Sequence, residues 1–198
     1  MRYTSSITAG SLKLPESRVL AGVMLADPSP QAWQQAVDRD NVLQAKSPHT
    51  RRSLAKLIRR RLAHLPPALL AVVRDGSQAE ATQACLAGAV LDSRLLGDFL
   101  DLVLRPRYRT FKTDLPMAAW NDYLDGCHAR DPQMPAWSDS TVARLRSSVF
   151  KTLSEAGYLS DTKARRLQKV HVTAPVARRL SAAGEPGRYA LSCLEVAS

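Results

Sequence analysis

Six cations and no carboxylate lie between Ser47 and Leu65, a segment of the right length for one helix. They are Arg51, Arg52, Lys56, Arg59, Arg60 and Arg61. Such a cluster repels itself, and a phosphodiester chain is its natural counter-charge. On a helical wheel Arg61 falls near the apolar stripe, so we expect it to turn inward or pair with a nearby acid. We predict phosphate contacts for the other five cations. A plain solvated face is the alternative, although such faces usually mix both signs.

A second basic run, RPRYRTFKT, occupies residues 105–113, and its net charge is +4. With Pro106 and Pro116 it is typical of a hinge between two parts of the chain. We predict that Arg107, Arg109 and Lys112 contact phosphates.

The segment 138–156 has the pattern of an amphipathic helix with a hydroxyl-rich, cationic exposed stripe. The stripe is Ser140, Arg144, Ser147 and Lys151, with Thr141 and Ser148 beside it. Small hydroxyls let a helix approach DNA closely, and an arginine can donate two hydrogen bonds to guanine or phosphate. Downstream, Lys163, Arg165 and Arg166 lie in a basic loop before LQKVHVT (167–173), whose alternation predicts a strand. Lys169 lies within that stretch, and all four cations belong to the predicted wing. We predict that these four cations also contact DNA.

Catalytic and metal-binding motifs are absent from the sequence. The four histidines, His49, His64, His128 and His171, form no HxH, HExxH or HxxxH pair. Asp122 and Asp125 share a helical face, but an acidic solvated face is the simpler interpretation. We therefore predict no catalytic residue, no metal site, no cofactor and no enzymatic activity.

The bulk properties agree with a basic binding protein. The 198 residues are 45% apolar, carry a net charge of +10 and have a pI of about 10.0, which favours anionic partners. Cys85, Cys127 and Cys193 form no CxxC pair, so we expect packing residues in a reducing compartment. The N-terminus has no secretory apolar core, and no apolar run reaches the roughly 18 residues that span a bilayer. These features predict a cytoplasmic protein.

Helix signals dominate the chain and set the predicted fold. Serines followed by proline at 29–30 and 47–48, and Ser77, are helix starts, and Gly157 is predicted to end a helix as its C′ residue. Helix, turn, helix and a short β-hairpin after residue 116 form the order of a winged helix-turn-helix. We predict a mainly α protein with a helical domain at 1–104, a basic hinge at 105–115 and a winged-helix-like domain at 116–198.

Three stretches carry a family resemblance: RYTSSITAGSLKLPESRVLA, NVLQAKSPHTRRSLAKLIRRRL and RLRSSVFKTLSEAGYL. In order and spacing they resemble the BrxA family of bacteriophage exclusion (BREX) defence systems. The resemblance covers nearly the whole chain. It implies a mostly helical protein with an N-terminal part similar to NusB, binding of double-stranded DNA, and a role in phage defence beside a methyltransferase, an ATPase and other proteins.

The sequence thus predicts a non-enzymatic double-stranded DNA-binding protein whose affinity comes mainly from phosphate contacts. Two alternatives stay open at this point. The first is an RNA-binding module of the NusB type, and the second is a scaffold whose basic faces dock acidic partner proteins.

Overall fold

The computed structural model describes residues 3–9 and 11–196, and these residues are mainly helical. A 3₁₀ turn, Ser6–Ala9, precedes the first helix. The first five helices are α1, Leu14–Leu25; α2, Pro30–Gln34 continuing into a π-helical turn Gln35–Arg39; α3, Pro48–Leu62; α4, Pro67–Asp75; and α5, Gln78–Asp92. The next five are α6, which joins Arg94–Phe99, a π-helical turn Leu100–Leu104 and Arg105–Arg109; α7, Ala118–Arg130; α8, Asp139–Glu155; α9, Ala174–Ala182; and α10, Gly184–Leu194.

Side-chain caps begin several helices at the predicted positions. The amide of Thr50 donates to Ser47 Oγ over 3.1 Å at the start of α3. Ser77 and Glu80 form a reciprocal capping box at the start of α5. Each cap satisfies backbone N–H groups that the first helical turn leaves unpaired, which contributes about 1 kcal/mol. The predicted helix starts at Ser29, Ser47 and Ser77 are confirmed.

The core is organised around α5 and an aromatic cluster. Residues 83–90 of α5 are all buried, and α5 packs against α1, α3, α4, α6, α9 and α10. An apolar, alanine-rich helix suits this central place because small side chains let neighbours approach from every side. The rings of Phe99, Trp120, Tyr123 and Phe150 pack together at centroid distances of 5.1–6.5 Å and tie α6 to α7 and α8.

The predicted β-hairpin is not supported. The described residues contain no sheet, only two isolated antiparallel bridges, Leu159 with Leu167 and Asp114 with Arg166. The predicted strand at 167–173 is therefore wrong beyond its first residue, although its expected partner at 158–159 does lie opposite it. Two or three paired residues are too few to propagate a ladder. The winged-helix assignment is not confirmed, and eight residues rather than about three or four join α7 to α8.

Contacts between distant parts of the chain cross the predicted hinge. Arg105–Arg109 continues α6, so the first half of the basic run is helical. Helix α10 packs on α5 and α6, and α9 packs on α4 and α5. The amide of Leu12 donates to a carboxylate oxygen of Glu155 over 2.7 Å. The division into domains at 1–104, 105–115 and 116–198, and the NusB-like character of the first, stay predictions.

Candidate nucleic-acid interface

Backbone hydrogen bonds place the hinge segment beside the basic loop. The amide of Leu167 donates to the carbonyl of Thr113 over 2.9 Å, and the amide of Leu115 donates to the carbonyl of Arg165 over 3.0 Å. The hydroxyl of Tyr108 also donates to the carbonyl of Gln168 over 2.6 Å. Segments that are 50 residues apart in sequence thus form one edge of the molecule. We call it the basic edge, and its cations are Arg107, Arg109, Lys112, Lys163, Arg165, Arg166 and Lys169.

The basic edge has little counter-charge of its own. Within the described residues, no salt bridge of 4.0 Å or less involves any of these seven cations. Two carboxylates, Asp114 and Asp161, lie in the same segments. Backbone N–H groups of Ala164 and Lys163 donate to Asp161 over 2.7 and 2.6 Å and lower the pKa of that carboxyl. With seven cations and two carboxylates, the edge keeps a formal net charge of +5, which favours an anionic partner.

Two arginines of the edge are held in place by carbonyl groups. Arg107 donates to the carbonyl of Asp114 over 3.0 Å, and Nε of Arg165 donates to the carbonyl of Leu115 over 3.0 Å. Both side chains are half-buried, whereas the other five cations of the edge are exposed. The five exposed side chains are therefore accessible to an external anion. The two anchored side chains instead hold the segments of the edge together.

Phe111 lies at the end of α6, between Arg109 and Lys112, and its side chain is 90% exposed. Its φ of 55° is in the left-handed region. The amide of Lys112 donates to Arg107 O, and the amide of Phe111 donates to Tyr108 O, over 2.9 and 3.1 Å. This is a Schellman motif with Phe111 at C′, where glycine is usual. A side chain in that conformation costs about 1–2 kcal/mol.

Helix α8 presents most of its predicted stripe to solvent. Ser140, Arg144, Ser147 and Lys151 are exposed, because Leu145, Val149 and Leu153 occupy the opposite, buried side. Ser148 does not belong to the stripe, since it is 7% exposed and lies on the core side. Thr141 is half-buried beside the cap that its own amide makes with Ser138 Oγ.

Three of the six cations of α3 form salt bridges with two carboxylates from other parts of the chain. Nε of Arg52 lies 2.7 Å from Asp38 Oδ1, and Nε of Arg51 lies 3.8 Å from the same oxygen. Nε of Arg60 lies 2.7 Å from Asp92 Oδ1. The guanidinium of Arg59 is 4.3 Å above the ring of Trp33.

Lys56 of α3 has neither a carboxylate nor an aromatic ring as a partner among the described residues. Arg61 turns inward as expected: it is 5% exposed, donates to the carbonyl of Ser11 over 2.9 Å, and has its pKa lowered by burial.

The compensation of α3 was missed from sequence because its acids are remote. Asp38 precedes Arg51 by 13 residues, and Asp92 follows Arg60 by 32. No local spacing rule connects them. Phe111 was also not singled out from the sequence; the signal available was an aromatic side chain inside a basic run.

Two further findings concern the described residues as a whole. No helix among them is both long and apolar enough to cross a membrane. Histidine, cysteine and acidic side chains do not gather there in any group of three or more that suits a metal ion.

Comparison with known proteins points to one family. The BrxA family model matches residues 1–184. A BREX protein BrxA from Paramagnetospirillum magneticum (strain ATCC 700264 / AMB-1) is 44% identical over 195 residues, which cover 98% of this chain and 97% of that protein. A BREX protein BrxA from Escherichia coli O9:H4 (strain HS) is 34% identical over 170 residues, which cover 86% of this chain and 80% of that protein. An uncharacterized protein from Magnetospirillum magneticum, known from a crystal structure, superposes with a TM-score of 0.90 at 42% identity and covers 99% of this chain and 100% of its own. The chain therefore belongs to the BrxA family of BREX proteins.

Proposed function

We propose that this protein is a non-enzymatic, double-stranded DNA-binding component of a BREX phage-defence system, acting in the cytoplasm. The observation that carries the proposal is the basic edge, where hydrogen bonds join two basic segments whose seven cations form no salt bridge of 4.0 Å or less among the described residues. Cations that a fold concentrates but does not neutralise favour a polyanion.

The mode of binding follows from the residue types. Lysine and arginine on exposed loops contact phosphates, which position a protein on DNA without reading the bases. The exposed stripe of α8 adds Arg144 and Lys151 with two small hydroxyls, Ser140 and Ser147. We expect weak sequence preference. With four to seven phosphates engaged, the logarithm of affinity should fall against the logarithm of salt concentration with a slope of roughly −4 to −6.

The internal contacts of α3 favour the basic edge over α3 as the main phosphate-binding segment. Arg51, Arg52, Arg59 and Arg60 of α3 have internal partners, and separating them from those partners offsets part of what a phosphate contact contributes. Arg109, Lys112, Lys163, Arg166 and Lys169 carry no such penalty. We therefore assign the main phosphate contacts to the basic edge and a smaller share to α3, chiefly Lys56.

The test is a mobility-shift titration of the full chain on a duplex of about 30 base pairs at several salt concentrations. Replacing Arg109 and Lys112 together by glutamine should weaken binding and reduce the salt slope by about 2, because each lost phosphate contact removes about one unit. The control replaces Arg74 and Arg188 by glutamine, which removes the same net charge from cations already paired with Asp75 and Glu185.

Three results would overturn the proposal: no shift at low salt, a flat salt dependence, or equal losses in the two double variants. The RNA alternative is separated by competition between duplex DNA and structured RNA, since a tenfold preference for RNA, about 1.4 kcal/mol, decides for that partner. The scaffold alternative predicts that the Arg109 and Lys112 variant loses other BREX proteins, such as the methyltransferase or the ATPase, on co-purification while it keeps DNA.

A further inference from the structure

Phe111 stands out because the fold has no use for its side chain. The ring is 90% exposed, so it contributes almost nothing to the core. In a Schellman motif the accompanying hydrophobic contact joins C″ and C3, which at this helix end are Lys112 and Arg107. Phe111 at C′ is therefore not the residue that such a contact would employ.

A second helix end in the same protein shows what the backbone itself requires. At the end of α8 the amide of Tyr158 donates to Leu153 O, and the amide of Gly157 donates to Ser154 O, over 2.9 and 3.1 Å. This is the same motif, and its C′ residue is Gly157 with a φ of 83°. Glycine meets the conformational demand without strain. An aromatic residue at the equivalent position of α6 requires a reason outside folding.

The surroundings of the ring indicate its partner. Arg109 and Lys112 flank it, both are exposed, and neither has a carboxylate partner among the described residues. An apolar ring between two exposed cations matches the wedge of proteins that insert a side chain between base pairs while cations hold the adjacent phosphates. A membrane-inserting surface would instead present several bulky apolar groups together.

We propose that Phe111 inserts between adjacent base pairs of bound duplex DNA and locally unstacks them, with Arg109 and Lys112 on the flanking phosphates. This inference rests on the proposed DNA binding and adds a specific contact to it. Its consequence is a duplex that is unwound or bent at each bound protein, without recognition of particular bases.

The experiment measures DNA topology, which does not depend on where the protein binds. A closed circular plasmid is relaxed by a topoisomerase in the presence of the full chain, the protein is removed, and the linking number is read from the topoisomers. The wild-type chain should change the linking number. Phe111→Ala at saturating concentration should leave the linking number at the value found without protein. The salt slope of its DNA binding should equal that of the wild-type chain. Its affinity should fall roughly 5- to 160-fold, the range for loss of one stacked base.

Two further variants separate the ring from other causes. Phe111→Leu keeps an apolar wedge and should retain part of the topology change. Met117→Ala removes another exposed apolar side chain, one that lies beyond the basic run, and should behave as wild type.

Each failure has a distinct meaning. The wedge is overturned if the wild-type chain leaves the linking number unchanged, or if Phe111→Ala changes it as much as the wild-type chain does. Either result leaves salt-dependent DNA binding standing. The wedge is also overturned if the ring of Phe111 is required for binding to anionic vesicles or to another BREX protein but is not required for binding to DNA. Absence of any DNA binding removes the proposed function and the wedge together.

Discussion

The hydroxyl of Tyr3 donates a 2.7 Å hydrogen bond to Oδ2 of Asp98, 95 positions further along the chain. Nε of Arg130 donates to the same phenol oxygen over 3.0 Å, and Nε of Arg94 lies 2.7 Å from Asp98 Oδ1. This network fastens the N-terminal segment to α6 and α7. Hydrogen bonds to charged groups contribute more than neutral ones, because the buried charge would otherwise be left unsatisfied.

Tyr3→Phe should lower the free energy of unfolding by about 1–3 kcal/mol, since it removes both hydrogen bonds and keeps the ring. Urea unfolding of the full chain measures it. The matched control is Tyr189→Phe: that hydroxyl is buried, and its polar neighbour is the thiol of Cys193, a weak hydrogen-bonding group, so its removal should cost less than that of the Tyr3 hydroxyl. Equal losses in the two variants would contradict the role assigned to the Tyr3 network.

Stability should fall at alkaline pH. Burial, and then Asp98, raise the pKa of Tyr3 to about 12, and burial raises the pKa of Tyr108 and of Cys85 to about 12. A raised pKa means that the folded state holds its protons after the unfolded state has lost them. The stabilising contribution is therefore complete below about pH 9 and is lost between about pH 9 and 12.

Urea midpoints at pH 8, 10 and 11 measure this dependence, and they should decrease in that order. The decline should be smaller in Tyr3→Phe, which has one fewer group to ionise. A midpoint that is constant across this range would contradict the prediction.

Phe111→Gly should stabilise the fold, because the side chain of Phe111 is proposed to contact DNA and not to support the core. Relief of the left-handed strain, about 1–2 kcal/mol, exceeds the extra chain entropy of glycine, about 0.5–1 kcal/mol. The net gain should raise Tm by about 1–4 °C. Gly157→Ala places a side chain in the same conformation and should lower Tm. Loss of stability in Phe111→Gly would mean that the ring has a structural role.

Gly88→Ala should destabilise the contact between α3 and α5. A Cβ at position 88 would lie 2.8 Å from the carbonyl oxygen of Arg61, and backbone atoms cannot move aside cheaply, so we expect a loss of about 1–3 kcal/mol. Gly22→Ala is the control, because its nearest neighbour is the flexible side chain of Arg74 at 3.4 Å. Thermal unfolding should separate the two variants, and similar midpoints would refute the close approach.

The three cysteines should resist alkylation in the native protein. Cys85, Cys127 and Cys193 are buried, and burial raises the pKa of Cys85 to about 12 and of Cys193 to about 11. Because the thiolate is the nucleophile, iodoacetamide at pH 8 should modify them only after unfolding. Mass spectrometry with and without urea is the measurement, and rapid native labelling of any of the three would contradict it.

Local signals in the sequence determined where helices begin and end. Two of these signals begin a helix: a serine before a proline, and a serine with glutamate three residues later. The third, a glycine after an amphipathic run, ends one. Each acts on backbone hydrogen bonds within four residues. Ser47, Ser77 and Gly157 were therefore readable without a structure. The exposed stripe of α8 followed for the same reason, although Ser148 lay close enough to the boundary of the stripe to be misplaced. The resemblance to the BrxA family, confirmed by the comparisons, came from motifs along the chain.

Tertiary structure decided which charges stay free. The six cations of α3 looked unbalanced because no acid lies within helical spacing, yet Asp38 and Asp92, from other helices, form salt bridges with three of them. The hinge and the basic loop looked like separate segments, yet the bonds from Leu167 to Thr113 and from Leu115 to Arg165 join them. Charge pairing depends on distance in space, whereas sequence patterns report only neighbours along the chain.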